Sequence, residues 1–262
     1  MNWPHSLREI NNLPEPEKQA IYRTLLPQWL FERYDIDRET LTFAGRQVVW
    51  FRCPAGTRAA EISVKRRAGD IDPMLYLNMA DTFNHQLLVL LVVVNDPDAP
   101  RFNIDRDEEG NPTQLGTTSR NLAAEEAAME AGLAPGQVRA GLRGFKQLVP
   151  IFEDFVAHMG HDIFFIEPLA YHNAIVFERY GFSYVRGLQE MQRIHREFQP
   201  GGDLYRRLTP SNPFRKPEYW RSVRGRSWAI HDGILGHPFT GFQMYRRLGD
   251  PPKINTFPDA EW

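Results

Sequence analysis

Apolar and polar residues follow two different periods along the chain, and the switches between them predict the order of helices and strands. Apolar residues recur at helical spacing over residues 15–34, where Pro27 is expected to kink or divide the helix. Four candidate strands come next, over residues 47–51, 61–64, 74–77 and 87–94. Residues 87–94 are apolar on both faces, which predicts a central strand covered on both sides.

The second half of the chain alternates helices with short strands. Helical patterns cover residues 119–131, 135–159, 173–180 and 188–198, and the second helix is expected to kink or restart at Pro150. Strands are predicted at residues 162–167 and 183–185. We therefore predict an α/β fold with a mixed central sheet, residues 162–167 beside residues 87–94, and helices on both faces.

The last sixty residues have a different character. Residues 203–262 are rich in proline, glycine, arginine and aromatic residues, and residues 241–245 form the one good strand candidate. We predict an α/β domain over residues 1–202, with an acidic insert at 96–131. A loop-rich extension over residues 203–262 is expected to pack on the core through Trp220, Trp228 and Phe242.

Composition narrows the class of protein. Hydrophobic residues make up 42% of the 262 residues, which is enough for a sizeable core. The longest apolar run is Leu87–Val94, far below the ~20 residues of a membrane-spanning helix. The N-terminus has no signal-peptide pattern, and Cys53 is the only cysteine. We therefore expect a cytoplasmic protein without a membrane partner.

The net charge of −2 conceals a strong asymmetry. Residues 96–131 contain nine acidic residues and three arginines, whereas residues 186–226 contain ten basic and four acidic residues. Arginine favours carboxylate and phosphate partners. One alternative is therefore a nucleic-acid-binding face over residues 186–226 with Trp220 and Trp228 as stacking platforms. The pI near 6.5 and the absence of a recognition motif count against this alternative.

Two segments carry a resemblance to a known family. Residues 139–144 read Arg-Ala-Gly-Leu-Arg-Gly, and residues 173–182 read Asn-Ala-Ile-Val-Phe-Glu-Arg-Tyr-Gly-Phe. Together with the element order, they resemble the GNAT acyltransferase superfamily. The resemblance implies N-acyl transfer from acetyl-CoA or another acyl-CoA to an amine, with the pantetheine in a splayed cleft between the strands at 87–94 and 162–167. It also implies pyrophosphate binding by the backbone of a loop composed of Arg139, Ala140, Gly141, Arg143 and Gly144.

Three positions depart from the family pattern. Leu142 replaces a glycine of the loop, Ala170 replaces an asparagine, and Phe177 replaces a tyrosine that is a general acid in many members. The apolar stripe from Val138 onward also predicts that the loop residues lie inside a helix, which would make their amides inaccessible to phosphate. The alternative is a non-catalytic protein of GNAT-like fold that binds a small ligand or a partner.

Acyl transfer to an amine needs a base for the amine proton and an acid for the leaving thiolate. The candidate bases are Glu167, at the end of a predicted strand, and His172, just after it. The candidate acids are Tyr171 and Tyr180. Each of these side chains could equally have a purely structural role.

A further group of polar residues lies in the extension. Ser227, His231 and Asp232 supply the residue types of a Ser-His-Asp relay, but the adjacency of His231 to Asp232 disfavours the bond that such a relay needs. Arg224, Arg226 and His231 are therefore candidates for binding an anion or substrate. No metal site is predicted, because His158 and His161 offer two imidazoles at helical spacing without a third ligand.

Overall fold

The computed structural model describes residues 3–142 and 144–262, so Arg143 of the predicted loop lies outside the described residues. The helices are α1 (Leu7–Asn11), α2 (Glu15–Arg23), α3 (Gln28–Tyr34), α4 (Leu122–Glu130), α5 (Phe145–His158), α6 (Tyr171–Arg179), α7 (Leu188–Phe198), α8 (Asp203–Arg206) and α9 (Val223–His231). The strands are β1 (Thr42–Phe43), β2 (Arg46–Gln47), β3 (Val49–Arg52), β4 (Ala59–Val64), β5 (Leu75–Asp81), β6 (Leu87–Val94), β7 (Ile163–Ile166), β8 (Ser183–Arg186) and β9 (Gln243–Arg247). Two 3₁₀ turns, Pro213–Arg215 and Pro217–Arg221, precede α9.

Seven strands form one mixed sheet in the order β3-β4-β5-β6-β7-β9-β8, and β1 pairs with β2 in a separate hairpin. Strands β3 to β6 are successively antiparallel, whereas β6 and β7 are parallel. The predicted α/β class, the central position of β6 and the neighbouring position of β7 are thereby confirmed. The run Leu87–Val94 is central because its apolar side chains project on both faces of the sheet.

The chain divides into two compact units, each assembled from segments that are distant in sequence. The first unit comprises Met1–Asp98, Gly141–Glu167 and Tyr245–Asp250, and the second comprises Ala99–Ala140, Pro168–Met244 and Pro251–Trp262. Each unit combines residues from before and after position 202.

In the first unit, helices cover the sheet face that carries Phe51 of β3. The ring of Tyr22 in α2 stacks on Phe51 and on Phe155 of α5, with both centroid distances at 6.3 Å. At the start of α1, the Asp81 carboxylate accepts hydrogen bonds from the backbone N–H groups of Leu7 and Arg8. Since these amides have no partner within the helix, the last residue of β5 fixes α1 to the sheet. Helices on the opposite face stay a prediction.

In the second unit, α9 is almost wholly buried. Its N-terminus is capped by Ser222, whose hydroxyl oxygen accepts a hydrogen bond from the N–H of Gly225. Trp228 is 1% exposed and donates its indole N–H to the carbonyl of Leu133. Phe242 is also buried, and Trp220 is half-buried. Trp220, Trp228 and Phe242 thus belong to the second unit, whereas Tyr245–Asp250 of the extension belong to the first.

The helix predicted from Pro135 begins ten residues later. Residues 135–142 form turns and irregular backbone, and α5 starts at Phe145 after Gly144. Gly136 has a φ of +82°, a left-handed conformation that ends any helix at this point. α5 continues through Pro150, so the helix does not restart there, and a kink at Pro150 stays a prediction. None of the described helices is long and apolar enough to span a lipid bilayer.

Candidate functional site

Parallel strands β6 and β7 pair over only two residues and then separate. Leu88 pairs with Phe165 and Val89 with Ile166, after which β6 continues to Val94 without a hydrogen-bonded strand on that side among the described residues. The backbone N–H and C=O groups of β6 beyond Val89 therefore have no strand partner on this side among the described residues, and an extended ligand could pair with them. We refer to the space between β6 beyond Val89 and the end of β7 as the wedge.

A β-bulge lies at the narrow end of the wedge. Val89 pairs with Met79 and Leu91 pairs with Asn78, so Leu90 is an extra residue in β6 without a partner in β5. A bulge bends its strand and redirects the backbone groups that follow it. Leu90 is 38% exposed, although it belongs to the central strand.

The N-terminus of α5 lies against the wide end of the wedge. A Cβ on Gly141 would lie 3.1 Å from the carbonyl oxygen of Val94, and one on Gly144 would lie 3.0 Å from the indole of Trp29. Glycine at these positions lets the chain pass close to the end of β6 before the helix begins. Gly141 and Leu142 are not helical, which corrects the expectation that a helix occupies the backbone of the loop.

The first turn of α5 has an unusual charge. It contains no acidic residue, although the positive end of a helix dipole favours one, and it carries the exposed Lys146. In the sequence, Arg143 lies three positions before Lys146 and adds a second basic residue. Basic residues at a helix N-terminus are favourable when an anion is bound there.

The other two residues of the predicted loop belong to the second unit. Ala140 is exposed, and Arg139 donates a hydrogen bond to the carbonyl of Ala99 at 2.5 Å.

Glu167 directly follows β7 in the first unit. Its side chain is half-buried, and its carboxylate forms no hydrogen bond or ion pair with another described residue. An unpaired carboxylate at the end of a central strand is able to accept a proton. Glu167 thus lies where the sequence placed it, and its role as a base stays a prediction.

The other candidate catalytic residues belong to α6 in the second unit. Tyr171 and His172 are the first two residues of α6 and are both buried, and Tyr180 is its half-buried C-terminal cap. The His172 Nδ1 atom lies 2.9 Å from the Oγ of Ser227 on α9. Burial, reinforced by the nearby His231, lowers the pKa of His172 to about 4. Burial likewise raises the pKa of Tyr171 to about 12.

Ser227, His231 and Asp232 lie at or beside α9, but their side chains bond to other residues and not to one another. Ser227 bonds to His172, whereas His231 bonds through Nε2 to the buried carboxylate of Glu125 at 3.1 Å. Asp232 accepts hydrogen bonds from Arg120, Arg215 and Asn212. No relay links Ser227 to His231 and Asp232.

Arg120 joins the two acidic residues of this network. Its guanidinium donates to Glu125 and, at 2.6 Å, to Asp232. Burial alone would raise the pKa of Glu125 and Asp232, but hydrogen bonds from His231 and Arg120 lower that of Glu125, and hydrogen bonds from Arg120, Arg215 and Asn212 lower that of Asp232. The network therefore stays ionised at neutral pH and fixes α9 to the acidic insert.

The two candidate anion-binding arginines differ in their surroundings. Arg224 donates to the carbonyl oxygens of Gly132 and Trp262, so backbone acceptors occupy its guanidinium. Arg226 is fully buried and forms no ion pair with a described residue.

His158 and His161 bond to the carbonyls of Asp154 and His5 respectively. No group of three metal-ligating side chains occurs within residues 3–142 and 144–262.

Sequence reasoning missed the partnership of His172 with Ser227 and the contribution of Glu125 and Arg120. The two members of the first pair are 55 residues apart, and no motif joins them. A signal for the second pair was local, since Arg120 and Glu125 lie five residues apart within the acidic insert. Comparison with known proteins adds no family to this description, since no protein-family model, curated protein or solved structure matches the chain.

Proposed function

We propose that this protein is an acyl-CoA-dependent N-acyltransferase whose acceptor is an amine. The observation that supports the proposal is the wedge, where β6 and β7 pair at Val89 and Ile166 and then separate. The resemblance to the GNAT superfamily implies that pantetheine occupies such a cleft. The free edge of β6 up to Val94 offers the backbone donors and acceptors that its amide groups need.

The first turn of α5 supports a phosphate at the wide end of the wedge. The non-helical residues Gly141 and Leu142, the absence of an acidic residue and the exposed Lys146 all favour an anion there. Arg143 is a further candidate for phosphate binding from the resemblance.

The proposed chemistry assigns Glu167 the role of the base. The amine nitrogen attacks the thioester carbonyl, the C–S bond breaks, and the amine proton passes to the Glu167 carboxylate. His172 is neutral near pH 7 because its pKa is about 4, so it is the second candidate for this role. Tyr171 and Tyr180 are the candidates for protonating the thiolate, and the raised pKa of Tyr171 keeps its hydroxyl protonated.

Calorimetric titration with acetyl-CoA and free CoA tests the proposal. We expect weak binding because Leu142 occupies a glycine position of the loop. Arg139→Ala combined with Arg143→Ala should lower the affinity by about tenfold or more for each guanidinium–phosphate bond that is removed. Arg46→Ala combined with Arg52→Ala is the matched control, since both arginines are exposed in the first unit.

An activity assay separates binding from chemistry. CoA release with a panel of amines should fall in Glu167→Gln while the affinity for acetyl-CoA is unchanged. Tight CoA binding that is insensitive to the double arginine variant would place the cofactor elsewhere. The absence of acetyl-CoA binding at millimolar concentration would refute acyl transfer.

A second candidate function is a non-catalytic ligand- or partner-binding protein with the same fold. The observation that favours it is Phe177, which is 5% exposed and occupies the position of the family's tyrosine. A phenyl ring cannot donate a proton. CoA binding without CoA release for any amine tested would favour this second function over the first.

A further inference from the structure

Arg226 is a buried cation without an acidic partner. Its side chain lies on α9 with no solvent exposure. The Nε group donates to the carbonyl of Trp220 at 2.7 Å, and Nη1 lies 3.2 Å from the Nδ1 of His195. No carboxylate of a described residue pairs with it. Because an arginine keeps its proton at all physiological pH values, the charge is retained inside the second unit.

Two buried donors in this region lack a hydrogen-bond partner of normal geometry. They are Nη2 of Arg226 and the hydroxyl of Tyr171, which is 1% exposed. The two side chains are close to each other, so the hydroxyl oxygen attracts the guanidinium and accepts a weak hydrogen bond from it, but the hydroxyl proton has no acceptor. Buried donors are nearly always paired in folded proteins, so two orphan donors beside one unpaired cation indicate a missing acceptor.

Neighbouring groups compensate for the charge only in part. The guanidinium carbon lies 3.5 Å from the centroid of the Phe257 ring and 5.2 Å from that of Phe198. Such cation–π contacts stabilise the cation by less than the cost of burying an unpaired charge. The buried Glu178 carboxylate is already bonded to Tyr184 and Thr256.

We propose that Arg226 and Tyr171 form a binding site for a small carboxylate. The guanidinium Nη2 would donate to one carboxylate oxygen and the Tyr171 hydroxyl to the other. The two orphan donors match the two oxygens of a carboxylate, and the surrounding Phe198 and Phe257 rings suit an apolar group attached to it. Tyr171 is also a candidate acid in the proposed acyl transfer, whereas Arg226 has no role there, so the response of Arg226→Met to acetate tests this site separately from acyl transfer.

A loop covers the Tyr171 side of this site. The Phe239 ring lies edge-on to the Tyr171 ring, with centroids 6.3 Å apart, and stacks on Phe242 at 4.0 Å. Gly236 and Gly241 flank the loop with φ values of +80° and +83°, and the residues between them are mostly exposed. A carboxylate therefore enters when the loop moves and Phe239 leaves the Tyr171 ring.

Thermal unfolding of the full chain in acetate tests the site. Acetamide is the neutral analogue of the same shape, and sodium chloride keeps the ionic strength constant. Acetate at about ten times its Kd should raise the Tm by about 2–4 °C, whereas acetamide should have no effect. Arg226→Met should abolish the response.

Tyr171→Phe serves as a second variant in case Arg226→Met does not fold. It removes only the hydroxyl donor and should weaken acetate binding by about tenfold. Exposed Arg46→Ala is the matched control and should respond to acetate as the wild type does. No acetate-specific rise in Tm up to about 100 mM would overturn the proposal. A rise of equal size in wild type and in Tyr171→Phe or Arg226→Met would overturn it as well, because acetate would then bind elsewhere.

Discussion

The buried His172 should make the stability of this protein fall as the pH drops below neutrality. Its pKa in the folded protein is about 4, against 6.5 for an unperturbed histidine, because burial disfavours the charged ring and His231 adds repulsion. A pKa that is lower in the folded than in the unfolded state means that the unfolded chain binds the proton more tightly. The contribution of neutral His172 to the free energy of unfolding is therefore fully present above the unfolded pKa of 6.5, and it is lost progressively as the pH falls towards 4.

The size of the effect follows from the two pKa values. A difference of about 2.5 pH units is worth about 3 kcal/mol when both titrations are complete, and about 2 kcal/mol of this is already lost at pH 5. Glu125 and Asp232 do not contribute in this range. Their pKa values are lowered by their partners, so their share of stability is lost only at a more acidic pH.

His172→Asn isolates this contribution, since the shorter amide can still bond to Ser227 without titrating. Urea unfolding at pH 8 and pH 5 should show that the variant loses about 2 kcal/mol less than the wild type over this interval. The exposed His158→Asn is the control and should keep the wild-type pH dependence. If His172→Asn loses as much stability as the wild type between pH 8 and pH 5, then His172 is not buried in its neutral form.

Three further changes test the packing of the second unit. Asp232→Asn removes the carboxylate that pairs with Arg215 and one of the two that pair with Arg120, and it should lower the free energy of unfolding by about 2 kcal/mol, as measured by urea unfolding. Asp203→Asn at an exposed pair should change it by about 0.5 kcal/mol or less in the same assay. Gly187→Ala should lower the Tm markedly, because Gly187 has a φ of +104° and an added Cβ would lie 2.3 Å from the Phe242 ring. An unchanged Tm would show that this ring can move away. Trp228→Phe removes the bond to the Leu133 carbonyl and should destabilise by about 1–3 kcal/mol in the same urea assay, and a smaller loss would mean that water replaces the indole.

Local sequence patterns predicted the sheet well because the two-residue period of strands is a strong signal. The run Leu87–Val94 could be placed at the sheet centre since no polar residue marks a solvent face. The start of α5 was predicted wrongly for a related reason. Val138 and Leu142 continue the helical spacing of the apolar residues, but Gly136 takes a left-handed conformation and breaks the helix. Spacing alone does not determine backbone φ.

A residue of the candidate site could be predicted from the sequence only where the residues next to it form a clear local pattern. Glu167 could be placed at the end of a strand because the strand itself was evident. The bulge at Leu90 depends on the register of β6 against β5, which no residue in either strand indicates. The bond between His172 and Ser227 joins two helices that are far apart in the chain. Such contacts arise from tertiary packing and have no local pattern.

Side-chain bonds within the second unit attach the extension to the acidic insert. His231 and Arg120 bond to Glu125, and Arg120 also bonds to Asp232, which ties the extension to α4 and to the segment before it. Arg120 and Glu125 both belong to the insert, whereas His231 and Asp232 both follow the basic stretch at 186–226. Arg224 of the basic stretch adds a bond to the carbonyl of Gly132, the residue after the insert. These bonds explain how the extension is held, but they pair no arginine of residues 186–226 with an acidic residue of the insert. They therefore do not account for the charge asymmetry between the two segments, which in the sequence also suggests an external polyanion.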